Sequence, residues 1–396
     1  MVYRSLHRTV ALVTAGLLMG ASAGMAWTTH EAKARTLTKA PAQPATKLKV
    51  ETLTSGLEYP WGLQFMPDGR MLVTERPGRL RIVTKDGKLS APIAGVPQVV
   101  ARQQGGLLDI ALATDFATSG TIFLGYSEPR EGGRNGTAVM RAKLELAADG
   151  TGKLTGGTVI FRQKPDSTGG YHFGCRIVVN ADGSLFITLG DRYSLRDEAQ
   201  NASNHIGKVV RITADGKPFP GNPKFNGGGR DGWAPEVWSI GHRNVQGATL
   251  DGNGVLWTTE HGAKGGDELN RTEVGLNYGW PIITHGVDYS GAKIGIGTAK
   301  DGLEQPVYFW NPSIATSGLA FYSGSLFPSW TGNFLAGGLA GTHIARLVMK
   351  DGAVVGEEKL LLDQGWRIRD VRAGPDGAVY VLTDDDKGRL VRLTPG

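Results

Sequence analysis

The sequence predicts an all-β protein, a six-bladed β-propeller built from four-stranded antiparallel sheets. The chain has 396 residues, of which 59 are glycine, and this many glycines without a collagen-like period indicates many tight turns between short strands. No long amphipathic helical pattern occurs along the sequence, although a short helical turn is expected near 199–206. The third observation, a turn followed by a β-rich run that occurs six times, sets the number of blades.

Each of the six segments begins with a polar turn, in several cases Asp-Gly or Asn-Gly, and continues into a run of β-branched, aliphatic or aromatic residues. Their spacing of roughly 45 to 80 residues leaves room in each unit for a four-stranded sheet with insertions. A β-sandwich is the alternative, but it would not naturally contain six copies of one unit. The segments are 67–75, 118–126, 181–191, 252–262, 330–339 and 375–385.

Residues 1–26 are predicted to be a secretory signal peptide. Arg4 and Arg8 give a basic start, an apolar run follows, and small residues stand at Ala21 and Ala23. An uncleaved anchor is the alternative, although the apolar run is short for a membrane span and no later run reaches the length that a span needs. These features predict a periplasmic or secreted protein without a membrane span once the signal is removed.

The remaining chain divides into two predicted parts. Residues 27–47 are rich in Ala, Thr, Lys and Pro and are interpreted as a flexible linker. Residues 48–396 are interpreted as a single propeller domain. Cys175 is the only cysteine, so no disulfide can form within the chain, and the hydrophobic core must provide the stability.

The charge balance gives no indication of a nucleic-acid partner. The formal net charge is +6, and loss of Arg4 and Arg8 with the signal peptide leaves +4. The basic residues are dispersed along the sequence without a Lys/Arg block, whereas nucleic-acid binding needs a concentrated basic surface.

Five loops next to the repeated strands carry the candidate functional residues. The openings of a propeller collect loops from every blade, so distant residues can form one site there. Each loop taken alone also has an ordinary structural interpretation: a histidine that only donates a hydrogen bond, a capped turn, or arginines on a solvated strand. The candidates are Gln104 in 101–112, His172 in 169–176, Arg243 and Asn244 in 239–247, Gly262, Ala263 and Glu268 in 259–270, and Arg367 and Arg369 in 365–371.

Taken together these residues offer a neutral base, fixed cations and a site for a hard metal ion. Arg367 and Arg369 stand at period two, which places them on one face of a strand, and with Arg243 they suit a planar ligand that carries several carboxylates. The turn at Gly262–Ala263 can present carbonyl oxygens to Ca²⁺. The spacing of an EF-hand is absent, and zinc is disfavoured because the sequence has no close Cys/His cluster.

The order of these loops resembles the soluble dehydrogenases that depend on pyrroloquinoline quinone (PQQ), in particular the aldose sugar dehydrogenase branch of the soluble glucose dehydrogenase family. The resemblance extends from about Leu57 to the C-terminus. Each motif is weak alone, and the combination is specific. The motifs are PWGLQFMPDGRMLVTER, QGGLLDIAL, HFGCRIVVNADGSLFITLGDR, GHRNVQG, EHGAKGGDELN, LNYGWP and WRIRDV.

The resemblance implies a six-bladed propeller that holds PQQ and Ca²⁺ at one face and assigns roles to individual residues. Ala340 marks a departure, because glucose dehydrogenases have a lysine that contacts the quinone in this segment, whereas the sugar dehydrogenase branch lacks it. The implied roles are catalysis by His172 as general base with Arg243 and Gln104, PQQ binding by Arg243, Asn244, Arg367, Arg369 and Gln104, calcium binding through the carbonyls of Gly262 and Ala263, and a further calcium site at Glu268 and Tyr278.

The implied reaction is the oxidation of an aldose at C1 to the lactone, by hydride transfer to the quinone, with an unidentified electron acceptor. Asp191 is expected to orient His172 or its neighbours. Two other classes remain open at this point. A calcium-dependent propeller hydrolase, such as a lactonase, would also use a histidine and Ca²⁺, and a cofactor-free propeller would serve as an interaction module.

Overall fold

The computed structural model describes residues 39–147, 151–225 and 230–396. The predicted signal peptide, 1–26, lies outside the described residues, as does the part of the predicted linker up to 38. Within the described residues the chain forms six antiparallel sheets, five with four strands and one with three. The prediction of a six-bladed, all-β propeller is confirmed.

The strands are short and lie in chain order within each sheet, apart from the first strand of the chain. In order they are β1 Leu48–Leu57, β2 Pro60–Phe65, β3 Met71–Glu75, β4 Arg79–Val83, β5 Leu107–Leu112, β6 Thr121–Pro129, β7 Asn135–Leu146, β8 Gly152–Arg162, β9 Gly174–Val179, β10 Leu185–Leu189, β11 Lys208–Ile212, β12 Val237–Ile240, β13 Val245–Leu250, β14 Leu256–Glu260, β15 Asp267–Arg271, β16 Tyr308–Trp310, β17 Thr316–Phe321, β18 Phe334–Gly338, β19 Ile344–Lys350, β20 Ala353–Leu360, β21 Ile368–Ala373, β22 Val379–Thr383 and β23 Gly388–Pro395.

Helical structure among the described residues is limited to short segments. The α-helix α1 spans Phe116–Ser119, and 3₁₀ turns lie at Glu131–Gly133, Arg196–Gln200, Pro328–Trp330 and Leu362–Gln364. The helical turn expected near 199–206 therefore begins earlier, at Arg196, and ends at Gln200. None of the described helices has the length and apolar character that a membrane crossing requires.

The six repeated sequence segments correspond to the second strand of each blade. In five blades this strand, for example β10 or β22, is buried at every residue. Burial of a strand on both faces favours apolar residues, which explains the repeated apolar runs. The turn before β10 shows why Asp-Gly precedes the run: Gly183 has a φ of 79°, and Asp182 Oδ1 accepts a hydrogen bond of 2.9 Å from the backbone N–H of Ser184.

In each blade, one strand faces the centre of the ring and is called the inner strand. Successive inner strands pack beside one another in the order β2, β5, β9, β13, β17 and β21, and β21 lies beside β2. The ring is closed by β1, which pairs antiparallel with β23 so that Leu48 lies opposite Pro395. The last blade therefore has the order β1-β23-β22-β21, with one strand from the start of the domain and three from its end.

The first blade departs from the predicted four strands. Only β2, β3 and β4 form its sheet, but the chain after β4 continues beside it: Ser90 N–H donates to Ile82 O at 2.8 Å and Ile93 N–H to Leu80 O at 2.8 Å. Pro92 lies between these two residues and has no N–H to donate, which interrupts a regular ladder.

The predicted linker is ordered where the structure describes it. Gln43 N–H donates to Glu357 O, and Glu357 N–H donates to Pro41 O, both at 3.0 Å. Thr46 Oγ1 adds a hydrogen bond of 3.2 Å to Glu358 Oε2. The segment 41–46 is therefore held along the outer strand β20, through the backbone at Pro41 and Gln43 and through the side chain of Thr46.

Candidate active site

The site lies at one opening of the ring, where two sets of loops meet. Adjacent strands are antiparallel, so the starts of the inner strands and the ends of the second strands share one edge: Gly174 lies opposite Leu189, Val245 opposite Glu260, and Ile368 opposite Thr383. The loops before the inner strands β5, β9, β13 and β21 carry Gln104, His172, Arg243 and Arg367, respectively. The loops after the second strands β3, β10, β14 and β22 carry Arg76, Asp191, His261 and Asp384, respectively.

His172 and Asp191 form a buried pair at this opening. The distance from His172 Nδ1 to Asp191 Oδ1 is 2.6 Å, and the same carboxylate accepts hydrogen bonds from Trp280 Nε1 and from the N–H of Tyr193, each at 2.8 Å. Burial and the nearby Arg243 lower the pKa of His172, against the opposing effect of Asp191. The imidazole is therefore neutral at physiological pH, with its proton on Nδ1 and the lone pair of Nε2 free to accept a proton.

The backbone of His172 is held in a left-handed conformation by its surroundings. Its φ is 52°, which is unfavourable for a residue with a side chain. Gln104 Oε1 accepts a hydrogen bond of 2.8 Å from the N–H of His172, and a side chain at Gly190 would have its Cβ only 2.1 Å from His172 O. Gln104, predicted as a lining residue, thus also holds the backbone of His172.

Arg243 is fixed through its main chain by Glu260. The carboxylate of Glu260 accepts a hydrogen bond of 2.6 Å from the N–H of Arg243, and its other oxygen lies 2.9 Å from His242 Nδ1. The guanidinium of Arg243 lies against the ring of Trp280, with 5.3 Å between Cζ and the ring centroid. Trp280 thus contacts both Asp191, the partner of His172, and the guanidinium of Arg243.

Asn244 presents an unused donor in the same region. Its Oδ1 accepts a hydrogen bond of 3.1 Å from the N–H of Gly174, which ties the start of β9 to that of β13. Its buried Nδ2 has no hydrogen-bond partner among the described residues. Such an atom is costly unless a ligand or water satisfies it.

A second part of the site contains three arginines around one carboxylate. Asp384 accepts hydrogen bonds of 3.2 Å from both Arg367 and Arg369. Burial raises the pKa of Asp384, but Arg369, Arg367 and Arg76 outweigh burial and lower it. Arg76 also has a buried Nε without a partner among the described residues. Three guanidinium groups around one carboxylate leave a net positive charge.

The two predicted arginines of the strand motif differ in exposure. The side chain of Arg369, within β21, is 7% exposed, whereas that of Arg367, directly before β21, is 51% exposed. Both contact Asp384, which agrees with the expectation that the two side chains lie on the same side of the chain. Burial lowers the pKa of the Arg369 guanidinium, but an arginine stays charged at any physiological pH.

The predicted calcium loop is a tight turn fixed by a buried carboxylate. Asp267 Oδ1 accepts a hydrogen bond of 2.9 Å from Gly262 N–H, and its Oδ2 accepts one of 3.2 Å from Thr316 N–H. A Cβ at Gly262 would lie 2.1 Å from Gly265 O, so only glycine fits. The described residues contain no group of three or more His, Cys, Asp or Glu side chains arranged for a metal, and a metal here would depend on backbone oxygens.

Three of the four predicted calcium residues line one cavity. Gly262, Glu268 and Tyr278 surround a space of about 10 Å³ together with Glu260, which is about what one water-sized particle occupies. Burial and Glu260 raise the pKa of Glu268 well above its ordinary value. The hydroxyl of Tyr278 points elsewhere, because it donates to Arg271 O at 2.6 Å and accepts from the N–H of Glu273.

Sequence reasoning missed several residues of the site, and the repeat contained a signal for them. The second strands of three blades are followed directly by Arg76, His261 and Asp384, and Asp191 follows its strand in the same way after one intervening residue, Gly190. Burial lowers the pKa of His261 to about 3, so it is a neutral donor to Thr316 O at 2.6 Å. A comparison of repeat-equivalent positions would have found these residues.

The described residues form a six-bladed propeller that brings a buried histidine–aspartate pair, a cluster of arginines and a tight glycine turn to one opening. Residues 57–392 match the family model described as Glucose / Sorbosone dehydrogenase. The chain belongs to this family and is an oxidoreductase.

Individual relatives agree with this assignment. The chain is 44% identical over 358 residues to the aldose sugar dehydrogenase YliI of Escherichia coli, which covers 89% of this chain and 94% of that protein. The crystal structure of the soluble aldose sugar dehydrogenase from E. coli, in the apo-form, has a TM-score of 0.83 at 43% identity and covers 88% of this chain and 100% of that one. The PQQ-bound form of aldose sugar dehydrogenase from Streptomyces coelicolor has a TM-score of 0.72 at 27% identity, with 89% and 100% coverage.

Proposed function

We propose that the protein oxidises aldose sugars at C1 to the lactone and that it depends on PQQ and Ca²⁺. The observation that carries this proposal is the neutral His172, held by Asp191 beside the cation of Arg243, at the same opening as the arginine cluster. The relatives support it, because all three are described as aldose sugar dehydrogenases and one structure is that of a PQQ-bound form.

The arginine cluster fits PQQ by charge. PQQ is planar and carries three carboxylates, and guanidinium groups bind carboxylates through two parallel hydrogen bonds. Among the described residues, Asp384 is the one carboxylate that forms an ion pair with Arg367 or Arg369, and Arg76 acts electrostatically on the same group, so positive charge is left for an anion. The buried Nε of Arg76 and Nδ2 of Asn244 are two further donors without partners among the described residues.

The turn at Gly262 and Ala263 fits Ca²⁺ by its donor type. A hard cation prefers oxygen ligands, and these two residues can offer carbonyl oxygens without any side chain. A Cβ has no room at Gly262, which is consistent with a turn whose backbone shape is needed to present the carbonyl oxygens. We assign Glu268 to the same cation region, where Glu260 lies in the wall of the same cavity. Tyr278 belongs to this region because its side chain forms part of the cavity wall, and its hydroxyl is not assigned as a ligand.

The residues of the chain have separate roles in this reaction. Nε2 of His172 accepts the proton of the anomeric hydroxyl while the C1–H bond breaks, and Asp191 stabilises the imidazolium that results. Arg243 stabilises the negative charge that develops on oxygen. Gln104 keeps the backbone of His172 in place. When bound, PQQ supplies the hydride acceptor and Ca²⁺ supplies a Lewis acid.

The test is reconstitution of the purified protein. Addition of PQQ and Ca²⁺ should allow a panel of aldoses to reduce an artificial electron-acceptor dye, and the products should be lactones. Hydrolysis of added lactones without dye reduction would instead favour a propeller hydrolase. Sugar binding without either reaction would favour an interaction module.

The location of this activity is also a proposal. The basic start and apolar run of residues 1–26 are typical of a secretory signal, so we place the enzyme in the periplasm or outside the cell. The natural electron acceptor would then be a component of that compartment. Protein sequencing of the mature N-terminus after fractionation tests this assignment.

A further inference from the structure

Two tyrosine rings lie in the open directly beside the base. The ring of Tyr193 contacts that of His172 edge to face, with 5.4 Å between centroids, and Tyr171 lies next to it at 5.8 Å. Tyr193 is 54% exposed and Tyr171 is 40% exposed. Single exposed apolar side chains are common, but these two are neighbours, and both adjoin the group that takes the proton.

The structure fixes the ring of Tyr193 at this place. Asp191 Oδ1, which holds His172, also accepts the N–H of Tyr193 at 2.8 Å. Arg192 and Tyr193 both have positive φ values, 57° and 65°, a conformation that costs on the order of 1 kcal/mol or more per residue. Two consecutive strained residues next to a catalytic group are typical of a loop whose shape serves a function.

The buried side chain of Arg192 anchors this loop to the protein interior. Its guanidinium is buried over the ring of Phe173 at 3.7 Å, and it donates to Asn135 Oδ1 at 2.6 Å and to Gly169 O at 2.5 Å. The anchor joins the loop of Tyr193 to the loop that carries Tyr171 and His172. The backbone segments that carry the two rings are therefore tied together beside His172.

We propose that Tyr193 and Tyr171 form the surface on which the sugar ring lies during oxidation, and that Tyr193 determines the preference for pyranose substrates. This inference rests on the proposed function. A pyranose presents a face of C–H groups, which is attracted to the electron-rich face of an aromatic ring, while the phenol hydroxyl can bond to sugar hydroxyls. Because Tyr193 touches His172, a sugar on its ring has its anomeric carbon close to the base.

The cleanest variant is Tyr193→Gly. Glycine adopts a positive φ without strain, so this change removes the ring while the loop keeps its shape. The loaded enzyme should show a KM for aldopyranoses raised by about 3- to 10-fold, the range for loss of one aromatic contact, with little change in kcat. The inhibition constant of 1,5-anhydro-D-glucitol, which keeps the C–H face but has no anomeric hydroxyl, should rise by the same factor.

Tyr193→Phe should restore most of the binding, and Phe225→Ala is the matched control. Phe225 is 51% exposed in the loop after β11, at the edge of that sheet opposite to the site, and its loss should change neither constant. Unchanged KM and inhibition constants for Tyr193→Gly, in an enzyme that oxidises aldoses, would overturn this inference and leave the proposed function intact. A wild-type enzyme that oxidises no aldose would overturn both.

Discussion

Trp280 connects the carboxylate of Asp191 to the guanidinium of Arg243: its indole N–H donates to Asp191 Oδ2 at 2.8 Å, and its ring carries Arg243 on its face. One aromatic residue thus sets the spacing between the carboxylate that pairs with His172 and the guanidinium of Arg243. Both oxygens of Asp191 are occupied, since Oδ1 serves His172 and Tyr193. The first prediction follows from this full occupancy.

Asp191→Asn should lower kcat by about 10²- to 10⁴-fold, because one amide cannot accept from both sides and leaves His172 with a wrong tautomer or orientation. Asp191 raises the pKa of His172, so its loss should also move the acid limb of the kcat/KM profile to lower pH. In the wild type that limb should lie below the ordinary histidine value of 6.5, with activity lost as pH falls. An acid limb that stays in place would show that Asp191 does not act on the base.

His172→Ala should lower turnover by at least about 10²-fold, the usual scale for a general base, while PQQ binding is retained. His205 offers a matched control, since it is buried and lies 3.2 Å from Glu236 in another histidine–carboxylate pair. His205→Ala should affect thermal stability more than turnover. Near-normal turnover in His172→Ala would assign the base to another group.

Arg369→Ala should weaken PQQ binding by roughly 30- to several-thousand-fold, which corresponds to about 2–5 kcal/mol for a buried charge partner. Arg367→Ala should cost less, about 1 kcal/mol, because its side chain is half exposed. Arg→Lys should rescue only in part, since lysine lacks the bidentate fork. Titration of PQQ into each variant gives the dissociation constants.

The control for this pair is Arg346→Ala. Arg346 forms a buried ion pair of 2.6 Å with Glu358 on the outer strands, so its removal should destabilise the fold without a change in PQQ affinity. Equal PQQ affinity in the wild type, Arg367→Ala, Arg369→Ala and the double variant would place the cofactor elsewhere.

Calcium removal should abolish activity, and Ca²⁺ with PQQ should restore it. Gly262→Ala should weaken calcium binding by disturbing the turn, because its Cβ would collide with Gly265 O. Gly297→Ala, at a glycine with no atom near its Cβ position and no positive φ, should have no effect. Isothermal titration with Ca²⁺ measures the affinity directly, and full activity after exhaustive chelation would remove the metal from the mechanism.

The sequence predicted those features that local chemistry determines. Asp-Gly turns and the mainly apolar second strands marked the blades, and the residue types of His172, Arg243 and Arg369 indicated a base and a site for an anion. The partners of these residues were not predictable, because the pairing of Arg369 with Asp384 or of Arg243 with Glu260 depends on which strand ends meet in space. The irregular segment Leu89–Ile93 could not be predicted for a similar reason. Pro92 indicates that a regular strand is interrupted there, but the sequence does not show that the chain continues beside β4.

The strand β1 makes the two ends of the domain depend on each other. Leu48 cannot reach its place until Pro395 has been synthesised, so closure is among the most non-local contacts that this chain can make, and such contacts slow folding. A chain that emerges from a ribosome or a translocation channel with its N-terminus first must keep β1 unpaired for the whole of its passage. If the protein is exported as proposed, the closing strand favours assembly after export, and the enzyme would acquire its cofactor only after its last residue has crossed.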